Sequence, residues 1–234
     1  VLDQWLGPTL LPTFWDECLY KQPYAGAGTA WAAVPLLSWD VVDRVLRSDL
    51  APDVLSVAGG RLVDVPRPQT TADAQRLMRR GVSTVVRAAE LHEPGLAALA
   101  AAFGRLLPGE AHVQLYVTPR GTHSFGWHFD FEDVFIVQTL GVKDYYLRAN
   151  STAHEARLGD KLDFSSVRRE RSPLLSSRLI AGDWLHIPAR WWHLVKCVED
   201  SLSISVGVMP LEAIRNARHV PAGWSRDQGS PGDC

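Results

Sequence analysis

His128 and Asp130 stand two residues apart in Trp127-His128-Phe129-Asp130, and His193 follows in Arg190-Trp191-Trp192-His193, just past Pro188. In an extended segment residues i and i+2 project from one face, so His128 and Asp130 could chelate one cation together. His193 offers a third ligand. Two imidazoles and a carboxylate on one face form the facial set that leaves positions open on non-haem Fe(II), as a reaction using a cosubstrate and O2 requires. Alone, a His-x-Asp pair in a chain with eight histidines is weak evidence, and a surface histidine beside a turn aspartate is the bland alternative. Lys143 and Tyr116 alter that weighting. The Lys143 ammonium, one strand further on, could meet an anionic cosubstrate at the metal, although most lysines are simply solvated. The Tyr116 hydroxyl could touch the same carboxylate; otherwise it is a core aromatic.

These side chains need a rigid frame, and the hydropathy pattern supplies one. From residue 111 the period becomes two: His112, Gln114, Tyr116 and Thr118 alternate with Val113, Leu115 and Val117, the mark of a half-buried strand. Further strands are expected over 125–131, 133–140, 143–149, 178–180, 183–187, 192–198 and 201–208, separated by Gly, Pro and Asp breaks. Many short strands at near-regular spacing imply a sandwich or barrel. The stretch 150–177 is polar and poorly patterned and reads as an insertion. Upstream, residues 1–60 read as helical and loop-rich, with a helix opening at Pro12 and another over 39–46 capped by Ser38. Helices are also expected over 71–80, capped by Thr70 or Thr71 and stopped by Gly81, and over 95–106, ended by Pro108-Gly109. The expected organisation is a helical and mixed region over 1–110, a barrel over 111–210 and a tail over 211–234.

Composition narrows the class. A chain of 234 residues, 46% hydrophobic and 21% charged, suits one or two packed domains and excludes disorder. Lysine and arginine number 24 against 26 acidic residues, a net charge of −2 that argues against nucleic acid as a generic polyanion partner. No apolar run approaches the ~20 residues that cross a bilayer, and no secretory signal opens the sequence. Three widely spaced cysteines, Cys18, Cys197 and Cys234, form neither a zinc pattern nor a disulfide framework. A cytoplasmic protein without a membrane partner is the expectation. Nine tryptophans are many for this length; most should fill a core, while Trp127, Trp191 and Trp192 are candidates to line a substrate pocket.

The segment 114–148, QLYVTPRGTHSFGWHFDFEDVFIVQTLGVKDYYLR, resembles the core of the JmjC-type cupin oxygenases, and within them the ribosomal oxygenase branch of hydroxylases. Gly182-Asp183-Trp184-Leu185-His186-Ile187-Pro188 through His193 resembles the turn carrying that family's second histidine. The segment 200–207 resembles its closing strand, and Phe14-Trp15 through Lys21-Gln22-Pro23 its opening. The resemblance covers roughly 5–210 and does not include that branch's C-terminal winged-helix domain. It implies a mainly β fold, a double-stranded β-helix (cupin or jelly-roll) barrel with an N-terminal helical region, that binds Fe(II), 2-oxoglutarate and O2. By motif position His128, Asp130 and His193 would hold iron, Lys143 and Tyr116 would bind the distal carboxylate of 2-oxoglutarate, and Ser203 or Ser205 on the last strand would touch cosubstrate or water. The implied reaction is hydroxylation of an amino-acid side chain in a peptide or protein, or of an amino-acid-derived small molecule.

Departures from the family pattern fall on the substrate side: Gln114 for asparagine, Thr122-His123 for Ser-Gln, and Gly126-Trp127 for Pro-Pro. His112 and His123 are secondary candidates for substrate contact, and His186 reads as structural. Three rival functions share the fold. A catalytically silent cupin acting as a binding or regulatory module would have no need of four intact site residues. A 2-oxoglutarate-independent metal cupin usually offers three histidines and a glutamate. A lysine demethylase would use the same residues as a hydroxylase.

Overall fold

The computed structural model describes residues 1–123 and 125–211; the expected tail lies outside the described residues, apart from Leu211. Eleven strands among them form two antiparallel sheets. Seven follow residue 108: β5 (Gly109–Thr118), β6 (Asp133–Leu140), β7 (Lys143–Arg148), β8 (Leu175–Leu179), β9 (Trp184–Ile187), β10 (Trp192–Cys197) and β11 (Ser201–Pro210). Four come earlier: β1 (Tyr24–Gly26), β2 (Asp53–Ala58), β3 (Arg61–Leu62) and β4 (Ser83–Arg87). The large sheet has the order β1-β9-β6-β11-β5-β4-β2-β3, and it faces a three-stranded sheet, β10-β7-β8. The result is a jelly-roll double-stranded β-helix with helices packed on the outer face of the large sheet.

Alternation along β11 explains the layering. Leu202, Ile204, Val206 and Val208 point outward into the main core, where Val113, Leu115 and Val117 of β5, Phe135 and Val137 of β6 and Trp184 of β9 also lie. Ser201, Ser203, Ser205 and Gly207 therefore turn inward, toward the small sheet. A second core, formed by Val134, Ile136, Tyr145, Leu147, Leu179, Leu185 and Ile187, fills part of the space between the sheets.

The helices fall near their expected places. Ser38 caps α2 (Trp39–Leu46) by accepting from the Val41 amide at 3.4 Å. Thr70 caps α3 (Thr71–Arg79) by accepting from the Asp73 amide, and Pro94 opens α4 (Pro94–Leu106). The helix over Leu2–Thr13 (α1) begins well before Pro12, bends at Gly7 and runs into a π-helical turn, Phe14–Cys18.

Two expectations over the strands need correction. Residues 1–60 are not only helical and loop-rich, because β1 and β2 lie there and β3 follows directly. They are short, and β1 and β3 are sheet edges, so hydrophobic alternation has little length in which to show. Residues 125–131 do not form a strand. His128 alone pairs there, as a bridge to His193, and Asp130 binds the turn through Arg190 instead of a ladder.

Gly141 sets the entry to β7. It sits at φ 71, a left-handed conformation that costs little only for glycine, and it packs against the Asp200 backbone. Two residues later the chain turns Lys143 inward. At the opposite face of the large sheet, Trp184 is fully buried among Trp5, Phe14 and Tyr24, with ring centroids at 5.2, 5.8 and 5.4 Å, and its indole N–H donates to Thr29 at 3.0 Å. Gly26 leaves the space that the indole fills. Trp184→Ala should destabilise the fold by about 3–5 kcal/mol, the usual cost of emptying a large aromatic site. Urea unfolding checks this; an unchanged midpoint would remove Trp184 from the centre of the core.

Candidate metal centre and its pocket

His128 and His193 face each other across two backbone hydrogen bonds, His128 N–H to His193 O at 3.1 Å and His193 N–H to His128 O at 2.8 Å. Each ring is then oriented by a carbonyl. His128 Nδ1 lies 2.9 Å from Gly126 O, and His193 Nδ1 lies 3.1 Å from Trp191 O. A carbonyl can only accept, so Nδ1 carries the proton in both rings and each Nε2 presents a lone pair. The Asp130 carboxylate completes the group, 3.5 Å from His193 Nε2. One ligand atom from each of the three residues lies within 4.8 Å of the other two. Three electron-pair donors aimed at one point repel each other until a cation or proton stands between them. His193 is poorly placed to take that proton: burial and the neighbouring His128 hold its imidazole well below the usual histidine range. Oxygen and imidazole donors suit a divalent transition metal.

Lys143 lies deeper in the same interior, 3% exposed, with Nζ donating to Ser203 Oγ at 2.8 Å and lying 5.5 Å from the centroid of the Tyr116 ring. Its ammonium joins no ion pair among the described residues. Burial lowers its pKa to about 8. Tyr145 is buried and Tyr116 half-buried beside it, and desolvation raises both phenols, so they stay protonated donors. A buried cation ringed by hydroxyls is a receptor for an anion.

The remaining expected residues fall around this axis. The Tyr116 hydroxyl donates to Gln114 at 2.9 Å, so the residue that departs from the family pattern is the tyrosine's partner. Ser205 faces inward between Gln114 and Ile136, while Ser203 is the serine that meets Lys143. Trp192 is a correction: it is fully buried against Phe129, at 4.8 Å between centroids, and lines no pocket. Trp191 packs on the second core and Trp127 is half-buried. His186 is buried against Asp133 at 3.2 Å between Phe14 and Phe135, a structural place. His123 is exposed near Gly60.

The insertion contributes a residue that sequence patterning does not reveal. Arg148 bonds the carbonyls of Glu170 and Ser172, and the Glu170 carboxylate accepts from Ser151, closing the neck of the excursion. Arg190 reaches the carbonyls of His154 and Ala156 at 2.8 and 2.6 Å. Phe164 is thereby seated 5.7 Å from Phe129 and 6.4 Å from the His128 ring. Asp163 caps the turn over Phe164–Arg169, its carboxylate accepting from the Ser165 amide and hydroxyl.

Comparison with known proteins places this geometry. Residues 97–215 match the JmjC domain, which is more than half of the chain. The chain belongs to the JmjC-domain family. Ribosomal oxygenase 1 of Gallus gallus is 32% identical over 102 residues, a match covering 42% of this chain and 16% of that protein. The bifunctional lysine-specific demethylase and histidyl-hydroxylase NO66 of Dictyostelium discoideum is 22% identical over 216 residues, covering 89% of this chain and 42% of that one. The chain thus spans less than half the length of these curated relatives. The ribosomal oxygenase YcfD of Escherichia coli, solved with cobalt and 2-oxoglutarate, superposes with a TM-score of 0.61 at 20% identity, over 86% of this chain and 52% of that one. That likeness establishes the fold.

Within this JmjC fold the buried Lys143 makes a measurable electrostatic signature. Its pKa of about 8 in the folded protein lies below the ordinary lysine value of 10.5. Between those values the unfolded chain binds the extra proton, so stability rises with pH there, by up to about 3 kcal/mol at ~1.4 kcal/mol per unit. Lys143→Met lacks this dependence. The variant should be the more stable protein at neutral pH without a bound anion, and the gap should close toward pH ~10.4. Denaturant titrations across that range check the sign; parallel curves would place the ammonium in water.

Proposed function

We propose that this chain is an Fe(II)- and 2-oxoglutarate-dependent oxygenase that hydroxylates an amino-acid side chain in a peptide or protein, or in an amino-acid-derived molecule. The observation that carries the reading is the convergence of His128, Asp130 and His193 in one interior with a buried, unpaired Lys143. A metal site by itself fits many activities. An unpaired ammonium on the same axis adds a seat for a small dianion that reaches from lysine to metal.

In this reading the Nε2 atoms of His128 and His193 and the Asp130 carboxylate hold iron, and the carbonyls behind the rings keep both imidazoles in the binding tautomer. When bound, iron with 2-oxoglutarate and O2 supplies the oxidising power to hydroxylate an unactivated C–H bond, with succinate and CO2 released. Lys143 neutralises the distal carboxylate of the cosubstrate, assisted by the Ser203 hydroxyl. Tyr116 packs beside that carboxylate, and Ser205 lies on the wall between the lysine and the metal ligands. The second core and the Phe129, Phe164 and Trp192 cluster keep water from the back of the site. The names of the relatives support the class, since they include both ribosomal oxygenases and a protein that is demethylase and histidyl-hydroxylase. A cytoplasmic setting is consistent with Cys18 and Cys197, which are free and buried.

Anaerobic addition of Fe(II) and 2-oxoglutarate should give a visible metal-to-ligand charge-transfer band. Lys143→Ala should weaken 2-oxoglutarate binding by at least about tenfold, as loss of a buried charge partner does, while Fe(II) stays bound; unchanged affinity would refute the assignment of Lys143. Screening amino acids, peptides and ribosomal extracts for succinate release, followed by mass spectrometry, should find one added oxygen. A lost methyl group would favour the demethylase, and an absent charge-transfer band the silent cupin.

A further inference from the structure

Beside the metal ligands lies a second pair of titratable groups that the proposed reaction does not use. Glu132 follows Asp130 by two residues and its side chain is 5% exposed. Its Oε2 lies 3.1 Å from His112 Nε2, but neither atom has an aligned hydrogen bond. His112 shares the inward face of β5 with Gln114 and Tyr116, and it sits opposite Gly207 of β11, which in turn sits opposite Val134 of β6. Glycine at 207 is what admits the carboxylate. A Cβ there would stand 2.5–2.6 Å from the three atoms of the Glu132 carboxyl group.

A pair kept only for stability is a poor solution at this place. Burying a carboxylate without aligned donors costs several kcal/mol, and apolar side chains of similar volume often serve a fold better. Such an unsatisfied acceptor has a physical rationale if a donor arrives from outside. The pair sits at the end of the interior opposite Lys143, at the start of β6, and His112 is 21% exposed there.

We propose that Glu132, seated over Gly207 and against His112, is a specificity-determining residue whose carboxylate accepts a hydrogen bond from an N–H group of the substrate. The proposal rests on the oxygenase reading and names its substrate class: a side chain that carries N–H donors near the oxidised carbon. A neutral carboxamide and a cationic nitrogen share that chemistry. A site built around a buried acceptor rejects an analogue lacking the donor, because the acceptor is then left unpaired.

The test uses blocked glycine-flanked tripeptides with glutamine, arginine or norleucine at the centre. Affinity is read anaerobically, without turnover, from proton relaxation by Mn(II) loaded in the presence of 2-oxoglutarate. The glutamine or the arginine peptide should bind at least about tenfold tighter than the norleucine peptide; the first result identifies a carboxamide and the second a cation. Glu132→Met should bring that ratio to about one. Gly207→Ala, which keeps the carboxylate but pushes it aside, should do the same. Thermal unfolding of both variants is followed in parallel, since a merely structural pair would move stability and leave the ratio alone. Equal binding of the three peptides by the wild type, no binding by any of them, or a ratio that survives Glu132→Met would overturn the proposal. The charge-transfer titration of the wild type is read separately, so failure of the cosubstrate reading is distinguishable from failure of this one.

Discussion

The site depends on the register of β11. This strand lies at the centre of the large sheet and pairs antiparallel with β5 and β6 at once, from Ser201 opposite Thr118 to Pro210 opposite Gly109. Because side chains alternate along a strand, a slip of one residue would turn Leu202, Ile204, Val206 and Val208 into the pocket and the serines into the core. The outward apolar row locks the register, and the inward row then has no freedom of its own. Ser203 must lie beside Tyr116 and Gln138, Ser205 beside Gln114 and Ile136, and Gly207 beside His112 and Val134. The order of functional groups along the pocket is thus fixed by packing on the far side of the sheet.

That order separates charge along one axis. The closed end, where β6 turns into β7 at Gly141, holds Lys143 beside the Ser203 hydroxyl, with no ion-pair partner among the described residues. The other end, where β6 begins and β10 follows the Pro188 turn, gathers Asp130, Glu132, His112 and the two histidines proposed as metal ligands. Each end is electrostatically incomplete in its own way. A buried ammonium favours an anion at one end, and clustered electron-pair donors favour a cation at the other. Each deficit raises the energy of the empty protein and lowers that of a protein holding the missing partner, so the same groups weaken the apo state and favour ligand binding.

How legible the site is follows from where its information resides. Residue type and spacing pointed to His128, Asp130, His193, Lys143 and Tyr116 as one group, and the JmjC resemblance made the five mutually consistent, although the strand expected to carry His128 and Asp130 is a loop. The helices over 39–46 and 71–79 were readable from Ser38 and Thr70, whose caps are local. The short edge strands β1 and β3 were not: β1 exists only through its pairing with distant β9, and β3, a two-residue partner of the adjacent β2, is too short to show alternation. Residues 125–131 carry alternating aromatics that imitate a strand, yet Phe125, Phe129 and Phe131 pack in a loop with Phe164 and Arg190 as neighbours. Trp192 looks like a pocket residue when only its place beside His193 is known; alternation on β10 sends it the other way. The inward place of the β11 serines was expected only through the JmjC resemblance, since alternation alone does not tell a polar row facing a second sheet from one facing solvent.

The convergence of the three ligands also explains the backbone strain at Arg190. His128 and Asp130 lie on a loop, while His193 belongs to β10, so their mutual geometry is not guaranteed by either sheet. Two contacts supply the guarantee: the paired backbone bonds between His128 and His193, and the Arg190 amide on the Asp130 carbonyl at 2.6 Å. Arg190 makes its contact at φ 70, an unfavourable conformation for a residue with a side chain. The same residue stacks on Phe131 at 5.1 Å and holds the insertion by two carbonyls. One strained position thereby ties the ligand loop, the second-histidine turn and the element carrying Phe164 into a single assembly. Strain of about 1–3 kcal/mol persists in a fold only where surrounding contacts over-determine it, and it collects where geometry must be held for function. Here the contacts that over-determine Arg190 are those that aim three donors at one point.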